Sequence, residues 1–133
     1  MLKRMANIFG IAFVAAGILG FVPGITVDDH LLGLFHVNGA HNMIYIVSGL
    51  AALYVAYKSE HAARLYFQIF GVVYGLVAIM GLFYGDSPLL GIVAHNNADV
   101  VLHFVIAIMA LYLGFAPRMR SAESDAHLAG HTR

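Results

Sequence analysis

Residues 31–57 read LLGLFHVNGAHNMIYIVSGLAALYVAY, a stretch without charged residues that changes from a polar start to a long apolar run. Three further stretches also lack charge: residues 6–27, 65–85 and 100–117. Each has about 18 residues or more, enough for a helix to cross a hydrocarbon core of about 30 Å at about 1.5 Å per residue. The pattern predicts four membrane helices, near residues 5–23, 38–57, 63–84 and 96–116.

The opening stretch has a second copy later in the chain. LLGL at 31–34 matches LLGI at 89–92, Asn38 matches Asn96, and ALY at 52–54 matches ALY at 110–112, all at an offset of 58. Before it, IFG at 8–10 matches IFG at 69–71 at an offset of 61, because the first loop is three residues longer. Two spans per copy give both copies the same orientation in the membrane. We therefore predict an all-α fold, an integral membrane four-helix bundle built from two parallel two-helix repeats.

The composition is that of a single membrane domain. Hydrophobic residues make up 61% of the 133 residues, and the mean hydropathy is +0.82, far above the average of soluble domains. The formal net charge is +0 and charged residues make up only 11%, which excludes nucleic acid as a partner. Because cysteine is absent, a metal site would need His, Asp, Asn or Tyr ligands.

The basic residues predict the orientation of the chain. All of them fall at the N-terminus, between the second and third spans, or in the tail: Lys3, Arg4, Lys58, Arg64, Arg118, Arg120 and Arg133. Under the positive-inside rule, both termini are then cytoplasmic. The loops that carry Asp28, Asp29 and Asp86 are expected outside.

The first span has the basic start and apolar run of a signal peptide, but two features argue against cleavage. No small-x-small pattern ends the run at residues 20–24, and the segment has an internal counterpart that cannot be a signal. We predict a membrane domain at 1–116, with repeats at about 5–57 and 63–116. The polar, aperiodic residues 117–133 are predicted to form a disordered cytoplasmic tail.

Polar residues concentrate where the second and fourth spans begin, at matching places in the two repeats. On a helix they form one stripe per span: Asn38, His41, Asn42 and Tyr45, and Asn96, Asp99 and His103. One interpretation is structural. Asn at the start of a helix with Asp three residues later is typical of an N-cap, and the remaining side chains could form hydrogen bonds between helices.

The functional interpretation starts from Asp99, because a carboxylate inside the membrane needs a partner. His41, Asp99 and His103, supported by Asn38, Asn42, Tyr45 and Asn96, form a candidate outward-facing site for a divalent metal such as zinc, manganese or copper, or for protons. A haem held by His41 and His103 is a weaker alternative, because bundle haems need more room than packing through glycine leaves.

No nucleophile-base pair, phosphate loop or zinc-protease motif appears, so we predict no enzymatic activity. The competing hypothesis is an accessory or scaffold subunit in which the polar residues only cap and pack helices. The lipid bilayer is the expected surrounding, and a homo-oligomer or a larger membrane complex is the expected form of assembly.

The paired motifs Asn-x-x-His at 38–41 and Asn-x-x-Asp-x-x-x-His at 96–103, with FGVVY at 70–74, resemble an uncharacterised family of small bacterial four-span membrane proteins. The family is one of the domains of unknown function, and the resemblance covers about residues 5–116. It implies the four-span fold and the bacterial cytoplasmic (inner) membrane as location. Members often carry a second histidine where this chain has Tyr45.

Overall fold

The structure, a computed structural model, describes residues 1–116 and consists mainly of four long helices. They are α1 (Leu2–Leu19), α2 (Gly39–Lys58), α3 (Glu60–Tyr84) and α4 (Asn97–Phe115). Each helix is long and apolar enough to cross a membrane. The predicted all-α bundle is therefore confirmed, and the chain is a multi-pass membrane protein. The tail predicted at 117–133 lies outside the described residues.

Helix α1 ends at Leu19, four residues before the end that the sequence predicted. The next residues tighten into turns, in which the backbone N–H of Phe21 donates to the carbonyl of Ile18 at 3.0 Å. The hydroxyl of Thr26 donates to the carbonyl of Leu19 at 2.8 Å and so satisfies a helix-end acceptor. Pro23 lies four residues after Leu19 and has no N–H with which to continue the helix.

The loop between α1 and α2 holds a small sheet that the sequence analysis did not predict. Strands β1 (Thr26–Val27), β2 (His30–Leu31) and β3 (Phe35–His36) pair antiparallel in the order β1-β2-β3. Between β1 and β2, Asp28 and Asp29 have positive φ angles of 50° and 59°, as a two-residue hairpin turn requires. The strands are too short for alternation to be visible in the sequence.

The two repeats share an unusual turn in their loops. Leu32 and Leu90 have φ angles of 55° and 54°, and the glycines that follow them, Gly33 and Gly91, have φ angles of 70° and 74°. Leucine adopts this left-handed region at a cost, whereas glycine adopts it freely. The same strained turn at an offset of 58 shows that the repeat extends to the backbone.

Each repeat is a helical hairpin held together by close backbone contact. Helix α1 packs along α2, and α3 packs along α4. A Cβ atom built on Gly10 would lie 2.6 Å from Cγ of Leu53 and 2.9 Å from the carbonyl oxygen of Gly49. In the second hairpin, a Cβ on Gly71 would lie 2.7 Å from Cγ of Leu111, the counterpart of Leu53. A Cβ atom at either position would force the helices apart, so glycine is required at this approach. Close packing matters here because lipid supplies no hydrophobic force between helices.

Aromatic rings from α1 and α3 join the two hairpins. The ring of Phe9 meets Phe67 edge-on at 5.1 Å between centroids, and Phe13 meets Phe70 edge-on at 5.3 Å. Phe70 also stacks on Tyr74 at 4.2 Å. Such pairs contribute about 0.5 to 1.5 kcal/mol each beyond the area that they bury. The hairpins are therefore joined through side chains, in contrast to the backbone contacts within each hairpin.

Polar contacts close the end of the bundle that carries the N-terminus. The carboxylate of Glu60, at the start of α3, accepts from the amino group of Met1 at 3.1 Å. The guanidinium of Arg64 donates to the carbonyls of Gly114 and Ala116, where α4 ends. This end therefore gathers the basic residues of the described chain: Lys3, Arg4, Lys58 and Arg64.

We expect Gly49→Ala to destabilise the protein, because a Cβ atom there would lie 2.7 Å from the backbone nitrogen of Val14 and 2.8 Å from the carbonyl oxygen of Gly10. Overpacking of this kind costs about 1 to 3 kcal/mol. The matched control is Gly75→Ala, whose Cβ would meet only that of Ala107, at 3.8 Å. Thermal unfolding in mild detergent should show a lower midpoint for Gly49→Ala alone. Equal midpoints for the two variants would contradict the proposed backbone contact.

Candidate functional site

The site is built at the starts of α2 and α4, under the loops at 20–38 and 85–96, which we call the long-loop end of the bundle. Asn38 and Asn96 adopt the same extended backbone, with φ angles of −144° and −145°. The Asn38 side chain accepts from the N–H of His41 at 2.9 Å, and that of Asn96 accepts from the N–H of Asp99 at 3.1 Å. Both asparagines are therefore N-caps, as the structural interpretation of the motifs predicted.

Each of these asparagines also holds the loop of the other repeat. The Asn38 amide donates to the carbonyl of Ile92 at 2.8 Å, and the Asn96 amide donates to the carbonyl of Leu34 at 2.9 Å. Leu34 and Ile92 are counterparts in the two repeats, as are Asn38 and Asn96. The two bonds are thus one interaction made twice, across a pseudo-twofold axis that runs between α2 and α4.

Directly below the caps, His41 and Asp99 face each other across this axis. Nε2 of His41 lies 3.7 Å from Oδ1 of Asp99, and the two side chains are 3% and 0% exposed. The other carboxylate oxygen, Oδ2, accepts from the N–H of Asn96 at 3.0 Å and completes a capping box. Oδ1 of Asp99 and both ring nitrogens of His41 have no hydrogen-bond partner among the described residues. Capping therefore uses only half of this carboxylate.

One helical turn deeper, Tyr45 and His103 form the next pair. The Tyr45 hydroxyl lies 3.1 Å from Nε2 of His103, a buried hydrogen bond. The His41 and His103 rings are 6.0 Å apart between centroids, and Tyr74 meets His103 edge-on at 5.5 Å. The Tyr74 hydroxyl lies 3.2 Å from Oγ of Ser48. Polar groups thus continue from the long-loop end toward the middle of the bundle.

His95 is a residue of interest that the sequence analysis did not include among the site residues. It is 1% exposed, and neither ring nitrogen has a hydrogen-bond partner among the described residues. A Cβ atom built on Gly81 would lie 3.6 Å from Cδ2 of this ring. The sequence repeat could have indicated that His95 is buried, because it matches the apolar residue Val37. Val37 is itself buried, at 2% exposed.

Asn42, expected as a supporting ligand, is turned away from the pseudo-twofold axis. Its side chain is 3% exposed and lies against Gly20 at the end of α1, where a Cβ atom would overlap its amide. The helical period placed Asn42 on the same stripe as Asn38, but the contact between α1 and α2 covers this edge of the stripe. The structure thus brings together His41, Asp99, Tyr45 and His103, with Asn38 and Asn96 above them.

The unpartnered atoms of the site are those that are free to bind a proton or a metal ion. Within residues 1–116, no group of three or more His, Cys, Asp or Glu side chains has an arrangement that could hold a metal. Nε2 of His103 is already engaged by Tyr45. The unpartnered carboxylate oxygen and imidazole nitrogen, by contrast, are an acid and a base that face each other in a buried place.

These observations define a class of protein: a multi-pass membrane four-helix bundle of two repeated hairpins, with a buried polar site between the second helices of the repeats. The chain belongs to the family described as Domain of unknown function (DUF4383), whose model matches residues 3–116. No curated protein and no solved structure matches the chain significantly. The family match confirms the resemblance to a domain of unknown function and assigns no activity.

We expect Asn38→Asp to destabilise the protein although it keeps the capping oxygen. The substitution replaces the amide that donates to Ile92 by a carboxylate oxygen, which would face the carbonyl at a distance of 2.8 Å. Losing the bond costs about 0.5 to 1.5 kcal/mol, the ordinary net value of a hydrogen bond. The matched control is Asn97→Asp, an exposed position at the start of α4 where a negative charge favours the helix. Unfolding midpoints in detergent that fall equally in both variants would contradict the bridging role of Asn38.

Proposed function

We propose that the chain is a non-enzymatic membrane protein that binds and releases a proton at the Asp99–His41 pair. The observation that supports this proposal is the approach of Oδ1 of Asp99 to Nε2 of His41, at 3.7 Å, with neither atom hydrogen-bonded to a described residue. Intramembrane ionisable side chains are costly and typically mark ion or proton sites. The capping role of Asp99 does not account for its second oxygen.

The pair has two states with the same number of protons. Either the proton lies on the carboxyl group and both side chains are neutral, or it lies on the imidazole and the side chains form an ion pair. At 3.7 Å, opposite unit charges attract by about 4 kcal/mol at an effective dielectric constant of about 20. That attraction offsets much of the cost of burying two charges. Removing the proton leaves an unpaired carboxylate, and adding one leaves an unpaired imidazolium.

The deeper pair supplies a second proton acceptor. His103 shares one hydrogen with the Tyr45 hydroxyl at 3.1 Å, so the tautomer of its ring responds to that bond. Its ring lies 6.0 Å from that of His41 between centroids. A change in the charge of His41 would therefore be felt by His103 through a poorly screened interior.

A divalent metal is the second candidate ligand, because five buried polar atoms of His41, His95 and Asp99 lack partners among the described residues. The proton is favoured because no metal-holding group of three side chains occurs within residues 1–116. Haem has less support, since the Tyr45 ring packs 4.4 Å from His41 between centroids and its hydroxyl holds His103. In the accessory-subunit alternative, all these side chains only cap and pack.

Asp99→Asn is the sharpest test, because the amide keeps an oxygen for the capping bond to Asn96 and loses the exchangeable proton. Infrared difference spectra of detergent-solubilised protein across neutral and acid pH should contain the carboxyl band of a buried acid. We expect this band to disappear in Asp99→Asn and to remain in Asp86→Asn, a control in an exposed loop. Identical spectra for wild type and Asp99→Asn would contradict the proton proposal.

Metal analysis of the same samples separates the two ligands. Stoichiometric metal in wild type that is lost in Asp99→Asn would favour the metal candidate.

An exchange variant separates a paired site from simple packing. His41→Asp alone places two carboxylates together, and Asp99→His alone places two imidazoles together, whereas the double exchange restores one acid and one base. Recovery of both the carboxyl band and the unfolding midpoint in the double variant is expected for the pair.

We also propose the bacterial cytoplasmic membrane as the location, with both termini in the cytoplasm. Support comes from the segregation of charge: Lys3, Lys58 and Arg64 belong to the end with the N-terminus, and Asp28 and Asp86 to the long-loop end. The proton site would then lie near the outer face.

The absence of cysteine makes this topology testable with single-cysteine variants. In intact cells, a membrane-impermeant maleimide should label Ser87→Cys, which is exposed in the loop before α4. It should label His61→Cys, exposed at the start of α3, only after permeabilisation. The reverse pattern would overturn the proposed orientation.

A further inference from the structure

A cavity of about 530 Å³ opens at the long-loop end, between the end of α1 and the start of α2. It is separate from the proton pair and has both polar and apolar walls. Its polar walls come from Asp28, Asp29, Asn38 and Asn42. Its apolar walls include Phe21, Val22, Pro23 and Val37.

Hydrogen bonds fix the loop that forms the rim of this cavity. Thr26 is bound to the end of α1 through its hydroxyl, at 2.8 Å from the carbonyl of Leu19. The N–H of Val37 donates to the carbonyl of Asp29 at 2.8 Å, which holds the hairpin turn beside the start of α2. These hydrogen bonds thus hold the loop that carries Asp28 and Asp29 in place at the rim of the cavity.

Asn42 supplies the buried polar group of the cavity. Its side chain is 3% exposed and lines the cavity, and no hydrogen bond joins its amide to another described residue. At the matching place in the second repeat, the chain has Val100, which is also buried. Packing at this position therefore does not require an amide. The amide atoms are not among the fully buried unpartnered atoms of the described residues, so they are free to hydrogen-bond with a molecule in the cavity.

The charge and size of the cavity define the ligand. With His30 and His36 counted as neutral, residues 20–38 carry two negative charges from aspartates and no positive charge from lysine or arginine, so the field at the rim attracts a cation. The volume is much larger than a metal ion, and the apolar wall suits carbon atoms. The Phe21 ring, 54% exposed, can also face a cation. We infer that this cavity binds a small organic ammonium ion, with Asp28 and Asp29 balancing its charge and the Asn42 amide accepting or donating a hydrogen bond. This inference does not depend on the proton site.

An ammonium group can come from a free amine or from the ethanolamine headgroup of a lipid at the membrane surface. Isothermal titration calorimetry of the whole protein in a maltoside detergent, with ethanolamine and choline as probes, tests the shared chemistry. The control ligand is 3,3-dimethylbutanol, which has the shape of choline and no charge. We expect saturable binding of at least one cation and none of the neutral alcohol.

The variants assign the binding to this cavity. Asp28→Asn with Asp29→Asn should weaken binding about tenfold or more, as expected for loss of charge-assisted contacts. Asn42→Val should also weaken it, and this variant should fold because Val100 occupies the matching position. Asp86→Asn, in the loop that does not line the cavity, should bind like wild type. The inference is overturned if neither cation binds, if the neutral alcohol binds equally, or if the double aspartate variant retains wild-type affinity.

The source of the ammonium group is then found by repeating the titration in nanodiscs. Binding that is present in phosphatidylglycerol discs and lost when phosphatidylethanolamine is added identifies the lipid headgroup as the occupant. Equal binding in both kinds of disc identifies a soluble amine.

Discussion

The pair of hydrogen bonds from Asn38 to Ile92 and from Asn96 to Leu34 is the interaction on which the arrangement of the two repeats depends. In a bilayer, apolar side chains gain little by leaving lipid for each other, so directional bonds and close packing must set the register between hairpins. Each asparagine caps its own helix and holds the opposite loop. The two helix starts are thereby fixed face to face, and this fixes the relative positions of the polar side chains one turn below.

The aromatic cluster between α1 and α3 complements these bonds. Phe13 packs edge-on against Tyr45 at 5.0 Å, and Tyr74 packs edge-on against His103 at 5.5 Å. Phe13 and Tyr74 are counterparts in the two repeats, as are Tyr45 and His103. Each member of the deeper polar pair therefore has an aromatic ring from the first helix of its own hairpin behind it. This backing fixes both rings and brings the hydroxyl within 3.1 Å of the imidazole.

Much of this arrangement could be predicted from the sequence, because charge, helical period and internal repetition are properties of the chain alone. The helices, their order and the convergence of His41, Asp99 and His103 follow from these patterns. The sheet in the first loop does not, since its short strands depend on bonds to α1 such as that of Thr26. The direction of Asn42 also required the tertiary contact with Gly20, because one helical stripe spans two neighbouring faces.

The differences between the repeats explain why the site pairs an acid with a base. If both copies carried the residue of one repeat, the axis would bring together two carboxylates or two imidazoles, and like charges in a buried place exclude each other. Because the copies lie on one chain, position 41 is histidine and position 99 is aspartate, and the pair stays neutral with one proton. The deeper level follows the same rule, with a hydroxyl from Tyr45 opposite the imidazole of His103. Symmetry of the backbone with asymmetry of the side chains is therefore what lets an acid and a base face each other in a buried place here.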